Sequence, residues 1–454
     1  MLARAWRFES SRVHHYFPAI MIWHLYNILF VLGFLLLLPR FLYRMWRRGG
    51  YRAHFGERFA RYNDRTRAVL ADSRQPRIWI HAVSVGEIHV AFTLIDAWRK
   101  KRPELTFALS TTTSTAYKLG AQRLSPPDVL FYFPVDLPFI QRRALAAIRP
   151  RALVLVEAEW WPNVIREARK QSIPVALVNG RMSDSSFNGY RKLQWFMKQL
   201  LGDVQVLCAQ SKTDAERLVA LGAPAGRVHA VGSTKYEIAA PPENRVADIA
   251  AQMRDAGLDV ASRTVWVGGS TWPGEEEALV DLYLLLKKSY PSLALTLVPR
   301  HAERAGEIVR LIEKRGLAYA QRSNKATVSS DPIDIYLADT TGELMFFYAL
   351  ADVVFVGKSL TQQGGQNVIE PAALGKPVVV GPHMGNFKSI MEDFLAAQAL
   401  LQVPNKAQLE ETMRKLLGDD GFKQTLGARA TALVRAKSGA LERTISLLEE
   451  MMRT

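Results

Sequence analysis

Residues Gly364 to Pro382, GGQNVIEPAALGKPVVVGP, carry the densest chemistry in the sequence. Two glycines clear side chains from a loop, Asn367 opens a helix, Glu370 sits one turn inside it, and a Gly-Lys-Pro turn leads to an apolar strand. A helix N-terminus offers unpaired N–H groups and partial positive charge to a phosphate, and a carboxylate just inside accepts hydrogen bonds from ribose hydroxyls. The segment reads as a sugar-nucleotide site. Gly and Pro also punctuate ordinary helix-to-strand units, and a first-turn Glu complements the helix dipole whatever the ligand, so this motif alone does not decide.

Other groups with chemical potential fall just after apolar runs, the positions where open parallel sheets bind their ligands. The first half offers Ser84, Gly86 and Glu87, then Glu157 and Glu159, then Asn179 and Arg181. The second half offers Ser270 and Thr271, then Pro299, Arg300 and His301, and the turn Asp339 to Glu343 ahead of the Gly364 loop. Carboxylates cluster in the first half and phosphate-type groups in the second.

The elements that must position these residues alternate strand and helix. Apolar runs at 77–83, 105–111, 128–133, 152–158, 174–180 and 204–210 are separated by amphipathic stretches such as Ala91–Lys101 and Asn163–Gln171. A second series at 264–270, 293–299, 349–357 and 376–382 follows the Pro-containing segment Ala239–Asn244. Parallel α/β sheets have this pattern. A chain of 454 residues also exceeds the size at which one core keeps growing. Two Rossmann-like domains in tandem with a cleft between them are expected: an extension and anchor over 1–48, a first domain over 49–238 and a second over 239–454.

Ala19 to Leu38, AIMIWHLYNILFVLGFLLLL, has His24 and Asn27 as its only strongly polar side chains and is long enough to cross a bilayer core. Arg40, Arg44, Arg47, Arg48 and Arg52 follow, with Tyr43 and Trp46 as interfacial aromatics, which puts the downstream side in the cytoplasm. No small-residue cleavage signal follows, so the segment reads as an anchor. Arg4, Arg7 and Arg12 on the other flank suit a helix lying in the interface equally well. Met21 sits where such a chain could start, which would make residues 1–20 an extension.

The net charge of +16, from 59 Lys and Arg against 43 Asp and Glu, favours anionic partners. Nucleic acid is set aside, because no reading motif occurs and the aromatics do not interleave with the basic residues. The single cysteine, Cys208, excludes an intrachain disulfide and reads as a buried thiol. His81, His89 and His301 have no metal-ligand spacing, so no metal is assigned.

Taken together, VSVGE (83–87), the Glu157/Glu159-Trp161-Pro162-Asn163 group, NGRMSDSS (179–186), GSTKYE (232–237), GGSTWPGEEE (268–277), VPRHAER (298–304), TTGELM (340–345) and the Gly364 segment resemble the 3-deoxy-D-manno-octulosonic acid (Kdo) transferases of lipopolysaccharide synthesis. The likeness runs from GGYRAHFGERFA (49–60) to the C-terminal half, with the motifs in family order. It implies a two-domain GT-B glycosyltransferase at the cytoplasmic face of a bacterial inner membrane. Such an enzyme moves Kdo from CMP-Kdo to the lipid A precursor lipid IVA with inversion, without metal or other cofactor. Glu87 then matches the catalytic base, and Glu157 and Lys235 match positions that stabilise the transition state. Pro299 and Arg300, Thr341, Gly342 and Glu343, and Asn367, Val368, Ile369 and Glu370 match segments that hold the CMP moiety.

The residues agree with those roles. A carboxylate at a strand end in a partly dry cleft can take a proton from an acceptor hydroxyl, although Glu87 would equally serve a helix beginning near Ile88. Lys235, Arg300 and the helix near Asn367 can stabilise the charge gained by a departing phosphate monoester. Glu157 beside an anionic donor needs a cation, and Lys235 or Arg181 is expected to supply it. Trp160 and Trp161 read as core more readily than as a sugar platform. Four positions depart from the family: Gln366 replaces a common His, Lys358 a Gly, Thr341 a Met and Ala158 a Thr. Lys358 restores positive charge that Gln366 does not carry. Two other functions fit the donor loop, a UDP-sugar transferase or epimerase and an inactive membrane-associated binding protein on the same scaffold. The juxtamembrane Arg40–Arg67 stretch suits an anionic leaflet and a phosphorylated acceptor.

Overall fold

The computed structural model describes residues 22–40, 43, 52–72, 77–324 and 332–453. Residues 1–20, the positions Arg44, Trp46, Arg47 and Arg48, and the start of the GGYRAHFGERFA motif lie outside the described residues. The chain divides into two units, Met1–Thr234 with Gly439–Thr454, and Lys235–Ser438.

In the first unit the apolar helix α1 (Ile22–Arg40) has a mean hydropathy of 1.9 and is long and apolar enough to cross a membrane. The short helix α2 (Asp64–Ala71) follows, and then strands and helices alternate: β1 (Arg77–His81), α3 (Val85–Lys101), β2 (Thr106–Thr111), α4 (Ser114–Arg123), β3 (Val129–Tyr132), α5 (Pro138–Ile148), β4 (Ala152–Val156), α6 (Pro162–Lys170), β5 (Val175–Gly180), α7 (Asp184–Arg191), α8 (Gln194–Gly202), β6 (Val206–Ala209), α9 (Lys212–Ala220) and β7 (Val228–Ala230). All seven strands are parallel, in the order β3-β2-β1-β4-β5-β6-β7. Every residue of β1, β2, β4 and β5 is buried, as helices on both faces of a sheet require. Cys208 lies inside β6, and burial pushes its thiol up to about 12.

The second unit repeats the plan: α10 (Glu243–Asp255), β8 (Thr264–Thr271), α11 (Glu275–Lys287), β9 (Leu293–Pro299), α12 (Ala305–Lys314), β10 (Tyr319–Gln321), β11 (Ile335–Leu337), α13 (Leu344–Leu350), β12 (Val353–Val356), α14 (Ile369–Ala373), β13 (Val378–Val380), α15 (Lys388–Ala396), β14 (Leu401–Gln402), α16 (Lys406–Gly418) and α17 (Asp420–Lys437). Its parallel sheet runs β10-β11-β9-β8-β12-β13-β14. Both units are therefore Rossmann-like, as expected.

The domain limits differ from the expected ones in two ways. The boundary falls after Thr234 and not after residue 238, and the second unit ends at Ser438. The C-terminal helix Ala440–Met451 belongs to the first unit, where Ile445, Leu448 and Met451 pack in the cluster that holds Ile78, Leu109 and Val154. An amphipathic helix whose apolar stripe finds that cluster gains more than one left in solvent.

Strand order fixes where each unit can work. In the first sheet the winding reverses between β1 and β4, and in the second between β8 and β12. Crevices at the carboxyl ends of such strand pairs are where open α/β sheets bind ligands.

Candidate active site

Glu87 lies in the first turn of α3, immediately beyond β1, and is 7 % exposed. Ser84 is the N-cap: its Oγ accepts from the Glu87 N–H at 3.3 Å and donates to Glu87 Oε1 at 2.7 Å. Glu87 Oε2 accepts from Val83 N–H at 2.9 Å. Ser84 to Glu87 has capping-box spacing, with the Glu87 carboxylate reaching one residue further back to Val83 N–H, and the helix starts at Val85, three residues ahead of the expected Ile88. The capping role and the proposed chemical role fall on one side chain. The cap fixes the carboxylate, and a base would release one of these two donors to meet an acceptor.

Across the switch, β4 delivers Glu157 and Glu159. Glu157 takes φ 62°, a left-handed conformation that a non-glycine residue adopts at a cost of roughly 1–3 kcal/mol. Its side chain is 10 % exposed, and its Oε2 accepts from Arg181 Nε at 2.7 Å, so Arg181 is the cation that a buried carboxylate here requires. Asn179, also left-handed at φ 54°, lies 3.5 Å from Glu157 Oε1 through its Nδ2. Asn179 Oδ1 accepts from both the N–H and the hydroxyl of Thr234 at 3.2 Å.

Glu159 lies two residues further along the same motif. Burial pushes its carboxyl up to about 7, and the negative charges of Glu87 and Glu157 push the same way. The Trp161 indole opposes them, donating from Nε1 to Glu159 Oε2 at 3.0 Å. Trp161 packs against Phe133 with ring centroids 5.0 Å apart. Three carboxylates and Arg181 therefore meet at the β1/β4 switch. Beside them His81 is fully buried, stacked on Phe133, and burial pushes its imidazole down to about 3, so it is neutral at physiological pH.

In the second unit Pro299 ends β9 inside the core, and Arg300 emerges exposed just past it, its N–H donating to Thr271 O at 3.1 Å. The Glu370 carboxyl is pushed up by burial, against the Asn367 amide, which donates to Glu370 Oε1 at 3.1 Å, and against the Arg300 charge. Val368 and Ile369 differ from their expected role, for their side chains are 0 % and 1 % exposed in the hydrophobic core. Only their backbone is available, and the Ile369 N–H is already taken by Asn367 Oδ1 at 3.0 Å. The helix expected behind Asn367 is the five-residue α14.

Thr341, Gly342 and Glu343 line a cavity of about 820 Å³ with Arg245, Arg322 and Phe346. Arg322 grips Glu343 through Nε at 2.5 Å and Nη2 at 2.7 Å, and Thr340 donates its hydroxyl to the same carboxylate. The Arg322 hydrogen bonds hold the Glu343 carboxyl below its ordinary range. Glu343 is consequently a wall of the cavity that orients Arg322, while Thr341 and Gly342 are exposed at its rim.

Ser270, at the bulge near the end of β8, and Lys358, after β12, repeat the strained geometry of the first unit, at φ 53° and 56°. One carboxylate holds the two loops together. Glu275, completely buried, accepts from Trp272 N–H and Lys358 N–H on Oε2 at 3.0 and 2.7 Å, and from Ser359 N–H and Leu360 N–H on Oε1, both at 2.9 Å. Gly357 lets the loops close, since a Cβ there would lie 2.5 Å from Ser270 O. Lys358 Nζ sits 4.3 Å from the centre of the Trp272 ring, so the positive charge at this unusual position is stabilised on an aromatic face.

Residues 53–238 match the family of 3-deoxy-D-manno-octulosonic-acid transferases (kdotransferases), and residues 285–432 match the glycosyl transferases group 1. The 3-deoxy-D-manno-octulosonic acid transferase of Bordetella pertussis is 35 % identical over 424 residues, covering 90 % of this chain and 95 % of that protein. The enzyme of the same description from Haemophilus influenzae is 30 % identical over 403 residues, 88 % of this chain and 91 % of its own. A solved UDP-GlcNAc 2-epimerase from Neisseria meningitidis, bound to UDP-GlcNAc, superposes with a TM-score of 0.53 at 14 % identity over 82 % of this chain and 100 % of its own, a likeness of fold.

Proposed function

Since the chain belongs to the Kdo transferases, glycosyltransferases of two Rossmann-like units in the GT-B class, we propose that it moves Kdo from CMP-Kdo to lipid IVA by an inverting displacement that needs no metal. The observation that carries this reading is the cluster of Glu87, Glu157 and Glu159 at the β1/β4 switch, with Arg181 paired to Glu157.

In this reading Glu87 takes the proton from the acceptor hydroxyl as that oxygen attacks the anomeric carbon of Kdo. The bond from that carbon to the CMP phosphate oxygen breaks on the opposite face, and the electron pair leaves with CMP. The departing phosphate gains negative charge, which Lys235 and Arg300 are suited to stabilise. Ser84 and the Val83 N–H hold the Glu87 carboxylate in place before reaction, which lowers the cost of orienting it. Glu370 accepts from the ribose hydroxyls, kept ready by Asn367. The helix α1 and the arginines that follow it support tethering to the cytoplasmic face of the inner membrane.

The test is a detergent-solubilised assay with CMP-Kdo and tetraacylated lipid A precursor, read by product mass. Wild type should add at least one Kdo, and Glu87→Gln should abolish the gain while CMP still binds. A Glu87→Gln enzyme that keeps full turnover would remove Glu87 as the base. CMP binding without any product from folded wild type would remove the acceptor assignment.

A further inference from the structure

The helix α1 does more than present an apolar surface. Its first turns are docked on the first unit by named contacts. Trp23 is 5 % exposed, with its ring 5.7 Å from Phe196 and the Arg166 guanidinium 4.6 Å from its centre. Tyr26 donates its hydroxyl to Asp136 Oδ2 at 3.0 Å, and Asn27 Oδ1 accepts from Asn163 Nδ2 at 2.8 Å. Asp136 is fully buried and also accepts from the N–H groups of Asn163 and Val164, both at 2.9 Å, so the helix is fastened to the strand-end loops of the catalytic sheet.

The same helical face then parts from the protein. Phe30, Gly33, Phe34, Leu37 and Leu38 continue the stripe that Trp23, Tyr26 and Asn27 begin, at the spacing of one helix face, yet they line an open groove of about 530 Å³. Its other wall is Phe133, Pro134, Val135 and Trp161, with Arg58, Thr112 and the buried Asp136 completing the lining. The volume lies in the ~300–1,000 Å³ range of ligand pockets. Gly33 leaves part of the space empty, since a Cβ there would meet nothing within 4 Å. Leu36 on α1 is 81 % exposed and lies outside the groove lining.

We propose that this groove binds one acyl chain of the lipid acceptor. Its walls are apolar, and one of them is the helix that meets the membrane, so it opens where acyl chains are. Its protein wall reaches the carboxylate cluster, for Trp161 lines the groove and hydrogen-bonds Glu159. Beside Thr112 the neighbouring hydroxyls of Thr111 and Thr113 both donate to Val83 O at 3.2 Å, on the segment whose N–H holds Glu87. The Arg58 guanidinium, which donates to Thr112 O at 3.1 Å, supplies positive charge where an acyl chain would join its phosphorylated sugar. A lipid lodged here would have its sugar held at a fixed distance from Glu87. The inference deepens the transfer reading and rests on it.

The experiment compares tetraacylated lipid A precursor with its fully deacylated sugar backbone as acceptors, in the intact enzyme. Gly33→Trp fills the groove, Gly33→Leu fills it partly, and Leu36→Trp puts a Trp at an exposed position outside the lining as the control for insertion and folding. Gly33→Trp should lower kcat/KM for the acylated acceptor about tenfold or more, mainly through KM, with Gly33→Leu between it and wild type. Transfer to the deacylated acceptor should stay within about twofold of wild type, and Leu36→Trp should alter neither acceptor by more than that. Equal losses on both acceptors, or no loss on either, overturn the groove assignment. Weaker binding to phosphatidylethanolamine/phosphatidylglycerol vesicles with unchanged acceptor constants would also overturn it, assigning the groove to a bilayer lipid. Wild type that transfers Kdo to neither acceptor overturns the transfer reading itself, an outcome separate from any ratio between variants.

Discussion

Arg181 Nε lies 2.7 Å from Glu157 Oε2, and the two residues come from the ends of adjacent strands, β4 and β5. Glu157 is mostly buried at its tip while Arg181 is half exposed, so the cation reaches in from solvent to the carboxylate. A buried carboxylate stripped of its partner is costly, and the partner's removal should be felt in chemistry as well as stability. Arg181→Met and Glu157→Gln are each expected to slow turnover. A double-mutant cycle on kcat/KM should show a coupling of about 1–2 kcal/mol, reduced from a fully buried pair because Arg181 is solvated. Strictly additive losses would mean that the ion pair is incidental.

Glu159 supplies a pH signature. Its carboxyl is pushed from an ordinary 4.5 to about 7 in the folded protein, which therefore holds a proton that the unfolded chain has released between those values. Stability from this group is present at low pH and is lost as pH rises from about 4.5 to about 7. A shift of this size corresponds to at most ~3 kcal/mol at 1.36 kcal/mol per pH unit, and the partial solvation of Glu159 reduces that to about 1–2 kcal/mol. Glu159→Gln should accordingly gain that much on wild type between pH 5 and pH 8, read by denaturant unfolding in detergent. Asp136, pushed up to about 6 by burial, gives the same sign over a lower window and is common to both proteins. A mutant curve parallel to wild type across the range would show that Glu159 is not poised as described.

The sequence revealed what long patterns encode. The apolar runs that became β1, β2, β4, β5, β8 and β9 were legible because both faces of each strand are buried, leaving no polar alternation to confuse them. The strands β7, β10, β11 and β14 are not legible in the sequence, being two or three residues long, a length that carries no periodicity. That Glu157 needs a cation follows from electrostatics, which leaves Lys235 and Arg181 both open, and the structure pairs it with Arg181. The bond from Asn163 to Asn27 could not be read, because the partners are 136 residues apart and nothing local marks them. A polar amide inside an apolar helix was still a signal that a partner existed. The return of the C-terminal helix to the first unit was invisible for the same reason, as amphipathic spacing does not say which core it meets.

The docking of α1 is open to a direct test. Tyr26→Phe removes one of three donors to the buried Asp136 carboxylate while keeping the ring that stacks on Phe196, 5.9 Å away. The lost hydrogen bond to a charged-type acceptor should cost about 1–2 kcal/mol. Thermal unfolding in detergent should register the loss. A variant as stable as wild type would mean that the Tyr26 hydroxyl does not fasten the helix.

Glu275 does structural work at the switch point of the second unit. Its carboxylate accepts four backbone N–H groups from the loops that follow β8 and β12, the two strands at the switch point of the second unit. An amide in its place keeps shape and volume but turns an –NH2 toward two of those four donors. Glu275→Gln should therefore cost about 2–4 kcal/mol in denaturant unfolding, since buried donors are left without an acceptor. It should also weaken CMP binding measured by calorimetry, because Lys358 takes its strained conformation on a loop that Glu275 holds and Ser270 takes its own at the end of β8 leading into the other. Glu277→Gln, two residues along the same helix on a carboxylate 60 % exposed, should change stability by no more than about 0.5 kcal/mol and leave CMP affinity intact. Loss of stability without loss of CMP affinity in Glu275→Gln would separate the scaffold from the site and show that the strained loops do not form the nucleotide contact.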